Sequence, residues 1–527
     1  MPSLQNLSSK LLLNVINRLW VHDVMALSQQ SRGIHALCDV KHRQKYHLKF
    51  GREKLPQTHK AVLQAGLDTL LAILRFPSLG DNLRRVDLYG SGMIEYISDS
   101  SIQDYVLSPE DIDRLKQAIL GAGFQDTQER ESILSMLSRN PAKFESDSDE
   151  AALQFKDALI TLLVAAAPNL EFISMYPLLE YIRSPSTGDY ERVNLLQRLL
   201  YRASTGSVPY CQNLRNFSFH PDDKLNERGD YVEDPYYHRL NMVRKLPAVD
   251  SVAFKLVMWS NEAGIPPPPR SANYSKISFT HSVMQSWDLC RIIESPKTLK
   301  SFTSAIGGRQ YPEGGHPVLY VTPILKSLWM HRQTLEELNL DMESQTPRQE
   351  LYDEEYQTQE GGMTEEEQEE YEEQWADELQ ELATVEITPV RVSLKDFPRL
   401  KNLSVGAHTL CYLARGAGDG KTQLDSKSFN LVDHIPSAVE SLRIYGLGEP
   451  VDRSTPYLDY ESDLDVNAQI EQLAREKDAK LPGLKIEGVD PCIPNGRTVD
   501  EQADEDDLEL FWKDPDDNRF DDVGDDV

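Results

Sequence analysis

The sequence predicts an α/β protein in which a small, all-helical N-terminal unit precedes an irregular solenoid of strand–helix repeats. Three observations support this prediction. A short strand pattern, L-x-x-Φ-x-Φ with Φ apolar, recurs ten times; helical runs or prolines precede many of its copies; and two strongly acidic stretches lie outside it. Alternating apolar residues are typical of a half-buried strand, and a strand that returns at short intervals indicates stacked repeats.

The N-terminal stretch Leu7–Phe50 is predicted to form short helices. On a helical wheel of residues 10–20, most apolar side chains share one broad face, whereas Leu13 and Trp20 form a second patch roughly opposite. The first face consists of Leu11, Leu12, Val15, Ile16 and Leu19. One face can pack on the following helix, around Val24 and Leu27. The second face needs a partner, either the downstream domain or another protein.

Further helices are predicted along the rest of the chain. Ser108 precedes Pro109, Glu110 and Asp111, and this order favours a helix start, because serine caps, proline fits the first turn and acids suit the positive end. Helical periodicity also covers Lys60–Leu74, Ala151–Ala166, Arg192–Leu200, Trp287–Ile293 and Val321–His331.

The ten strand copies begin at residues 83 to 481. They are LRRVDL (Leu83), LEFISM (Leu170), LRNFSF (Leu214), VDSVAF (Val249), YSKISF (Tyr274), LKSFTS (Leu299), LEELNL (Leu335), LKNLSV (Leu400), VESLRI (Val439) and LPGLKI (Leu481). The one long interval between copies contains the acidic stretch 342–385. Without this insertion the interval matches the others, so the stretch interrupts a regular series.

Polar residues within these copies are predicted to face outward from the sheet. They are Arg84, Arg85, Glu171, Arg215, Asn216, Lys300, Glu336, Glu337, Lys401, Asn402 and Arg443. Such a surface suits protein recognition, but a solvated sheet face would look the same in the sequence.

Charge is concentrated in two appendages. The net charge is −30, of which Met342–Val385 (16 acids, one base) carries −15 and Arg497–Val527 (14 acids, three bases) carries −11. The predicted folded body is therefore nearly neutral and offers no broad basic face, so we expect no nucleic-acid ligand. The default interpretation of Glu365–Leu382 is a solvated charged run, although its composition also allows a short amphipathic helix that docks on this chain or on a basic partner.

Composition also indicates the compartment. The five cysteines are far apart and form no C-x-x-C pair, as in a reducing environment. No run of 18 apolar residues and no secretion signal is present, so we expect no membrane association and an intracellular location, cytoplasmic or nuclear.

Three local motifs resemble chemical sites but depart from them. GAGDGKT (Gly416–Thr422) lacks the glycine spacing of a phosphate loop. His35, Cys38, His42 and His47 fit no standard zinc spacing, and Asp514–Asp522 has Arg519 where a calcium loop needs glycine. We therefore expect no catalytic residues, no metal and no cofactor, and an adaptor or binding protein rather than an enzyme.

The N-terminal stretch resembles the F-box pattern, L-P-x-E-[IL]-L-x-x-I-x-x-x-L-x-x-x-D-L-x-x-L-x-x-x-S-[RK]-x-[WF]-x-x-L. The matching residues are Leu7, Leu11, Leu12, Val15, Leu19, Asp23, Val24, Leu27, Ser31, Arg32 and Leu37, without a gap. Ser8, Lys10 and Ile34 depart from the usual proline, glutamate and aromatic residue. Ser8 still suits a helix N-cap. A generic amphipathic helix pair with chance matches is the alternative.

The strand copies resemble leucine-rich repeats, L-x-x-L-x-L, in the divergent form found in many F-box proteins. They lack the usual Asn or Cys after the strand: LEELNL is followed by Asp341 and LKNLSV by Gly406. The resemblance implies a leucine-rich-repeat-like α/β solenoid at 83–490, after an F-box-like domain at 1–50 and a helical connector at 51–82. The acidic stretch 342–385 is then an insertion, and 491–527 an acidic, disordered tail.

Together, the two resemblances imply a substrate-recognition subunit of a Skp–cullin–F-box ubiquitin ligase. A Skp-type adaptor, and through it a cullin–RING ligase, would bind the F-box, and the repeats would bind a protein substrate. The implied adaptor-binding residues are Leu7, Ser8, Leu11, Leu12, Val15, Ile16, Leu19, Val24 and Leu27. The alternative is a stand-alone scaffold in which the N-terminal helices merely cap the repeats.

Overall fold

The computed structural model describes most of the chain between residues 59 and 490. The described ranges are 59–88, 107–144, 150–175, 195–204, 208–219, 231–258, 264–306, 321–341, 392–416, 429–445 and 465–490, with the strand 46–50 and the single residues Leu12, Leu27, Ile34 and Leu319.

One parallel sheet runs through the described ranges. Its eleven strands follow one another in chain order, and each is hydrogen-bonded in parallel to the next. They are β1 (Tyr46–Phe50), β2 (Leu83–Leu88), β3 (Phe172–Met175), β4 (Asn216–Phe219), β6 (Ser251–Lys255), β8 (Lys276–Thr280), β9 (Ser301–Ala305), β10 (Glu337–Asp341), β11 (Asn402–Gly406), β12 (Ser441–Tyr445) and β13 (Lys485–Asp490). Parallel strands require crossover connections, and helices or short 3₁₀ turns supply most of them.

Ten helices lie in the described ranges, so the protein is of mixed α/β class. They are α1 (His59–Arg75), α2 (Pro109–Gly121), α3 (Thr127–Leu137), α4 (Glu150–Ala165), α5 (Leu195–Ser204), α6 (Tyr236–Val243), α7 (Ser286–Glu294), α8 (Val321–Trp329), α9 (Ala407–Arg415) and α10 (Val466–Lys480). Four 3₁₀ turns cover Pro77–Asn82, Pro141–Lys143, Leu394–Asp396 and Leu431–His434. The predicted start at Ser108 is confirmed, since its hydroxyl accepts the Asp111 N–H at 3.2 Å.

All ten predicted strand copies are strands. The prediction of short helices as far as Phe50 is wrong at its end, because Tyr46–Phe50 forms β1 and pairs with β2. The sequence YHLKF alternates like the other copies, but Lys45 stands where they have a leading apolar residue. The L-x-x-Φ-x-Φ pattern therefore does not include β1.

The register of nine copies also agrees with the pattern, and the tenth differs. In LPGLKI the sequence alignment places Leu484 opposite Leu442, whereas the structure pairs Leu442 with Ile486, and the register shifts between Arg443 and Ile444. A slip of two residues keeps the same side chains on the same face of a strand. Leu484 thus remains buried, and the apolar pattern alone could not distinguish the two registers.

The core lies between the sheet and the helices. The two apolar positions of the pattern alternate inward along the strands, and the leading residue of each predicted copy is also buried. In the middle of the sheet the last apolar position is an aromatic ladder: the Phe219 and Phe254 rings stack at 5.0 Å between centroids, and the Phe254 and Phe279 rings at 4.6 Å. Ser304 ends this ladder on β9. Neighbouring strands β4, β6 and β8 are thus joined by direct stacking of their side chains.

A small second sheet lies at the carboxyl ends of the central strands. Its strands, β5 (Val232–Glu233) and β7 (Val257–Met258), pair in parallel. Just after β6 and β8, Leu256 and His281 adopt left-handed backbone angles, with φ of 64° and 49°. At these two positions the chain turns out of the main sheet toward the small second sheet. A separate apolar cluster lies there, formed by Tyr231, Met258, Val283 and Ile306.

Candidate interaction surfaces

Two of the nine predicted adaptor-binding residues lie within the described residues. Leu12 is helical and only 4% exposed, so its side chain faces inward. Leu27 is helical and half-buried, and it packs against the main apolar core. The other predicted residues, Leu7, Ser8, Leu11, Val15, Ile16, Leu19 and Val24, lie outside the described residues.

Ile34, which stands where the F-box pattern has an aromatic residue, is helical, buried and part of the main core. Together with Leu27, it joins the N-terminal helices to the apolar core shared by the rest of the chain. Sequence reasoning noted the departure at Ile34 but gave no reason for it.

The predicted outward residues of the strands do face outward. All eleven are exposed or half-exposed, from Arg84 on β2 to Arg443 on β12. Between β2 and β3 the guanidinium of Arg85 lies 3.9 Å from the centre of the Phe172 ring. An aromatic ring is thus presented on the outer face beneath a cation.

The middle row of the outer face consists of small residues over the central strands. From β3 to β9 the residues between the two buried apolar positions are Ser174, Ser218, Ala253, Ser278 and Thr303. Farther along, the same row reads Asn339, Ser404 and Arg443. The row therefore consists of small side chains over the central strands, of which Ser174 and Ser218 are buried, and reaches a large charged side chain at β12.

A row of alternating charges crosses the sheet at the entry to each strand. From β2 to β12 it reads Arg84, Glu171, Arg215, Asp250, Ser275, Lys300, Glu336, Lys401 and Glu440. Each residue after the first donates its backbone N–H to the carbonyl of the one before it, at 2.7–2.9 Å. Some side chains also pair directly: Arg84 lies 3.8 Å from Glu171, and Lys401 lies 3.9 Å from Glu440. Opposite charges on neighbouring strands favour this pairing over slipped ones.

A second row, one residue before the leading apolar position, links the turns by side-chain hydrogen bonds. The amides of Asn169, Asn213 and Asn273 donate to the carbonyls of Asp81, Pro168 and Leu246, at 3.0–3.2 Å. The Thr334 hydroxyl donates to the Leu299 carbonyl at 2.8 Å. The sequence lacks the Asn or Cys that usually follows each strand of such repeats. A row of Asn and Thr side chains before the strands, at the amino edge of the sheet, forms hydrogen bonds between neighbouring repeats.

Three buried polar groups join neighbouring helices. Asp157 on α4 accepts the backbone N–H groups of Leu195 and Leu196 at the start of α5, at 2.8 and 3.2 Å. Burial raises the pKa of Asp157 to about 6, against the opposing effect of these hydrogen bonds. Tyr237 on α6 donates to Asp288 on α7 at 2.7 Å, and burial likewise raises the pKa of Asp288 to about 6.

His331 is the third group, and its tautomer follows from its contacts. Its Nδ1 accepts the Leu299 N–H at 3.2 Å, so Nε2 carries the proton and donates to the Ile293 carbonyl at 2.8 Å. Burial lowers the pKa of His331 to about 4. The partners in these three links are 32–51 residues apart in the chain, so no local sequence pattern indicates them.

The motifs that resemble chemical sites fall almost wholly outside the described residues. Only Gly416 of GAGDGKT and the backbone of His47 are described, and Asp514–Asp522 lies outside. Within the described ranges, no group of three or more His, Cys, Asp or Glu side chains could hold a metal ion. The described helices include none that is long and apolar enough to cross a membrane.

No protein-family model matches the chain, and none of the curated proteins matches it significantly.

Proposed function

We propose that the chain is a substrate-recognition subunit of a Skp–cullin–F-box ubiquitin ligase. Its N-terminal helices would dock on a Skp-type adaptor, and its strand-bearing repeats would hold a protein substrate. The observation that carries the proposal is the ungapped F-box frame from Leu7 to Leu37, in which Asp23 and Ser31–Arg32 keep their spacing to the leucines.

The arrangement of the sheet supports the second half of the proposal. One parallel strand per turn, in chain order, is what a leucine-rich-repeat-like solenoid produces when turns that cannot bury their own apolar faces stack. Its outer face would then be an extended surface for a partner. The Asn and Thr side chains at the amino edge take the place of the ladder that such repeats carry after the strand.

In this function the chain performs no bond chemistry. Holding a substrate and an adaptor at once raises the effective concentration of substrate lysines near the ubiquitin-charged enzyme. Since Leu12 faces inward, it would stabilise the small helical domain, and the adaptor would be bound by other residues of the frame.

Co-purification with a Skp-type adaptor tests the proposal. The double variant Leu12→Asp/Leu19→Asp should abolish binding, but buried Leu12 makes unfolding an alternative cause of that result. The variant Ser8→Pro/Lys10→Glu restores the usual family residues at these two positions of the frame and should tighten binding severalfold. Lys41→Glu, outside the frame, is the control for the change of charge.

A result in which the native chain and Ser8→Pro/Lys10→Glu both fail to bind any Skp-type adaptor would refute the proposal. A second function, a stand-alone interaction scaffold, would then be favoured by one observation. Leu27 and Ile34 belong to the main core, as expected if the N-terminal helices merely cap the repeats.

A further inference from the structure

The central part of this acidic protein is basic. In the described residues between Leu195 and Ile306, eleven Lys and Arg side chains are exposed or half-exposed, and only two acids, Glu233 and Asp250, are. The other three acids there, Asp234, Asp288 and Glu294, are buried. Among these exposed or half-exposed described side chains the bases outnumber the acids by nine, and the whole stretch 195–306, with 14 bases and 10 acids, is net positive on a chain of net charge −30.

Five of these residues lie in adjacent turns at the amino edge of the sheet, and we name them the basic edge: Arg244, Lys245, Arg270, Lys297 and Lys300. They belong to the turns that lead into β6, β8 and β9.

Backbone hydrogen bonds hold these three turns side by side. The Asn273 N–H donates to the Arg244 carbonyl at 2.8 Å, the Arg270 N–H donates to the Glu294 carbonyl at 2.9 Å, and the Lys297 N–H donates to the Ala272 carbonyl at 2.9 Å. The turns that carry the basic edge are therefore linked to one another through their backbones.

The charges of the basic edge are largely uncompensated. Within the described ranges, no carboxylate lies in salt-bridge distance of the five, although Lys297 donates to the Asn273 amide oxygen at 2.7 Å. The nearest ion pair along this edge joins Lys276 to Asp250, at 3.6 Å. Exposed like charges on adjacent turns raise the local positive potential, and an acidic ligand would be attracted to it.

We propose that the basic edge binds a short acidic polypeptide segment of a partner protein. Three neighbouring turns span about 10 Å at the usual strand spacing, and an extended peptide advances about 3.3 Å per residue, so four to six residues cover the site. Carboxylates at alternate positions of such a peptide can meet successive Lys and Arg side chains.

A polypeptide suits this edge better than a nucleic acid. A nucleic acid carries a high linear density of negative charge, and the rest of a chain with a net charge of −30 repels it as a whole. A short acidic segment brings few charges and can be confined to the edge. The inference names a substrate class for the proposed function and rests on that function in this respect alone. The peptide-binding test itself requires no adaptor.

The test measures fluorescence anisotropy with the full chain and a labelled, Asp/Glu-rich 12-residue peptide, at low and at moderate salt. The native chain should bind the peptide, and binding should weaken with salt. The variant Lys245→Gln/Arg270→Gln/Lys297→Gln should bind about tenfold more weakly or worse. Lys116→Gln/Lys143→Gln/Lys485→Gln, which removes the same charge at exposed sites elsewhere, should change binding less than about twofold.

Three results would overturn the proposal: equal losses in both triple variants, absence of binding by the native chain, or tighter binding of a length-matched single-stranded oligonucleotide. A further measurement uses a chain from which residues 342–385 are deleted. If the peptide binds only after this deletion, the edge is occupied by the chain's own acidic segment rather than by a partner. Loss of adaptor binding with retained peptide binding, or the reverse, would separate failure of the proposed function from failure of this inference.

Discussion

Asp157 caps a helix to which it does not belong. Its carboxylate, on α4, accepts the Leu195 backbone N–H at 2.8 Å and so supplies the cap of α5. Replacement of such a cap by alanine costs about 0.5–2 kcal/mol, and burial of the freed N–H groups adds to the cost. We expect Asp157→Ala to lower the free energy of unfolding by about 2 kcal/mol in urea titrations. Asp126→Ala, at the exposed cap of α3, is the control and should cost less.

The cost of Asp157→Asn should depend on pH. The pKa of Asp157 is raised from 3.8 to about 6 in the fold, so the folded state holds the proton more tightly. This contribution is full below pH 3.8 and is lost as the pH rises through 6. The stability gap between native chain and variant should therefore shrink by about 2 kcal/mol between pH 4.5 and 7.5. A gap that widens over this range would contradict the prediction.

His331 should have the opposite pH dependence. Burial lowers the pKa of His331 from 6.5 to about 4, so its contribution to stability is full above pH 6.5 and is lost as the pH falls toward 4. Unfolding midpoints of the native chain and of His331→Gln should thus differ most near pH 7.5 and converge near pH 4.5. His238→Gln, which removes an exposed histidine bonded to Gln197, is the control for the loss of a histidine side chain.

The aromatic ladder should be the costliest part of the core to disturb. Phe254 lies between Phe219 and Phe279 and is 1% exposed, so Phe254→Ala removes both stacks and leaves a cavity. We expect a loss of about 3–5 kcal/mol in unfolding free energy, and a smaller loss for Phe254→Leu. Phe76→Ala, which changes a side chain that is 53% exposed, should stay within about 0.5 kcal/mol.

Two glycines should respond in opposite ways to alanine. A Cβ at Gly80 would lie 2.2 Å from the Ala166 carbonyl oxygen, a backbone atom that cannot move cheaply, whereas a Cβ at Gly121 would meet nothing within 4 Å. Gly80→Ala should destabilise the protein by about 1–3 kcal/mol. Gly121→Ala should be neutral or stabilising by up to about 1 kcal/mol. Thermal unfolding of the two variants checks both; similar shifts would contradict the close approach at Gly80.

The alternating charges at the strand entries predict that the cost of one charge reversal is partly recovered by a second reversal on the neighbouring strand. Lys401→Glu would place three acids in a row, since Glu336 and Glu440 flank it on the neighbouring strands. Because all three are partly exposed, we expect a loss of only about 0.5–1 kcal/mol, and less at high salt. Adding Glu440→Lys should restore part of it. A double-mutant cycle in urea measures the coupling, and no coupling at low salt would contradict the role of this row.

The local patterns of the sequence predicted most of the described sheet. The apolar alternation located ten strands, and the order Ser108–Pro109–Glu110–Asp111 located a helix start, because these signals arise within a few residues and depend on backbone geometry alone. The same reasoning missed β1, since Lys45 broke the pattern there. It misaligned β13, since a two-residue slip leaves the buried face unchanged.

The sequence by itself determined the α/β class, the repeated strand and the separation of charge into two acidic stretches, because each follows from local periodicity or composition. Only the tertiary structure decided which distant groups meet, Asp157 with Leu195 and His331 with Ile293 and Leu299, and which turns carry the basic edge side by side. The physical reason is that stacking brings each turn against the next across dozens of residues. A charge that is isolated along the chain can therefore become one of a cluster in the fold.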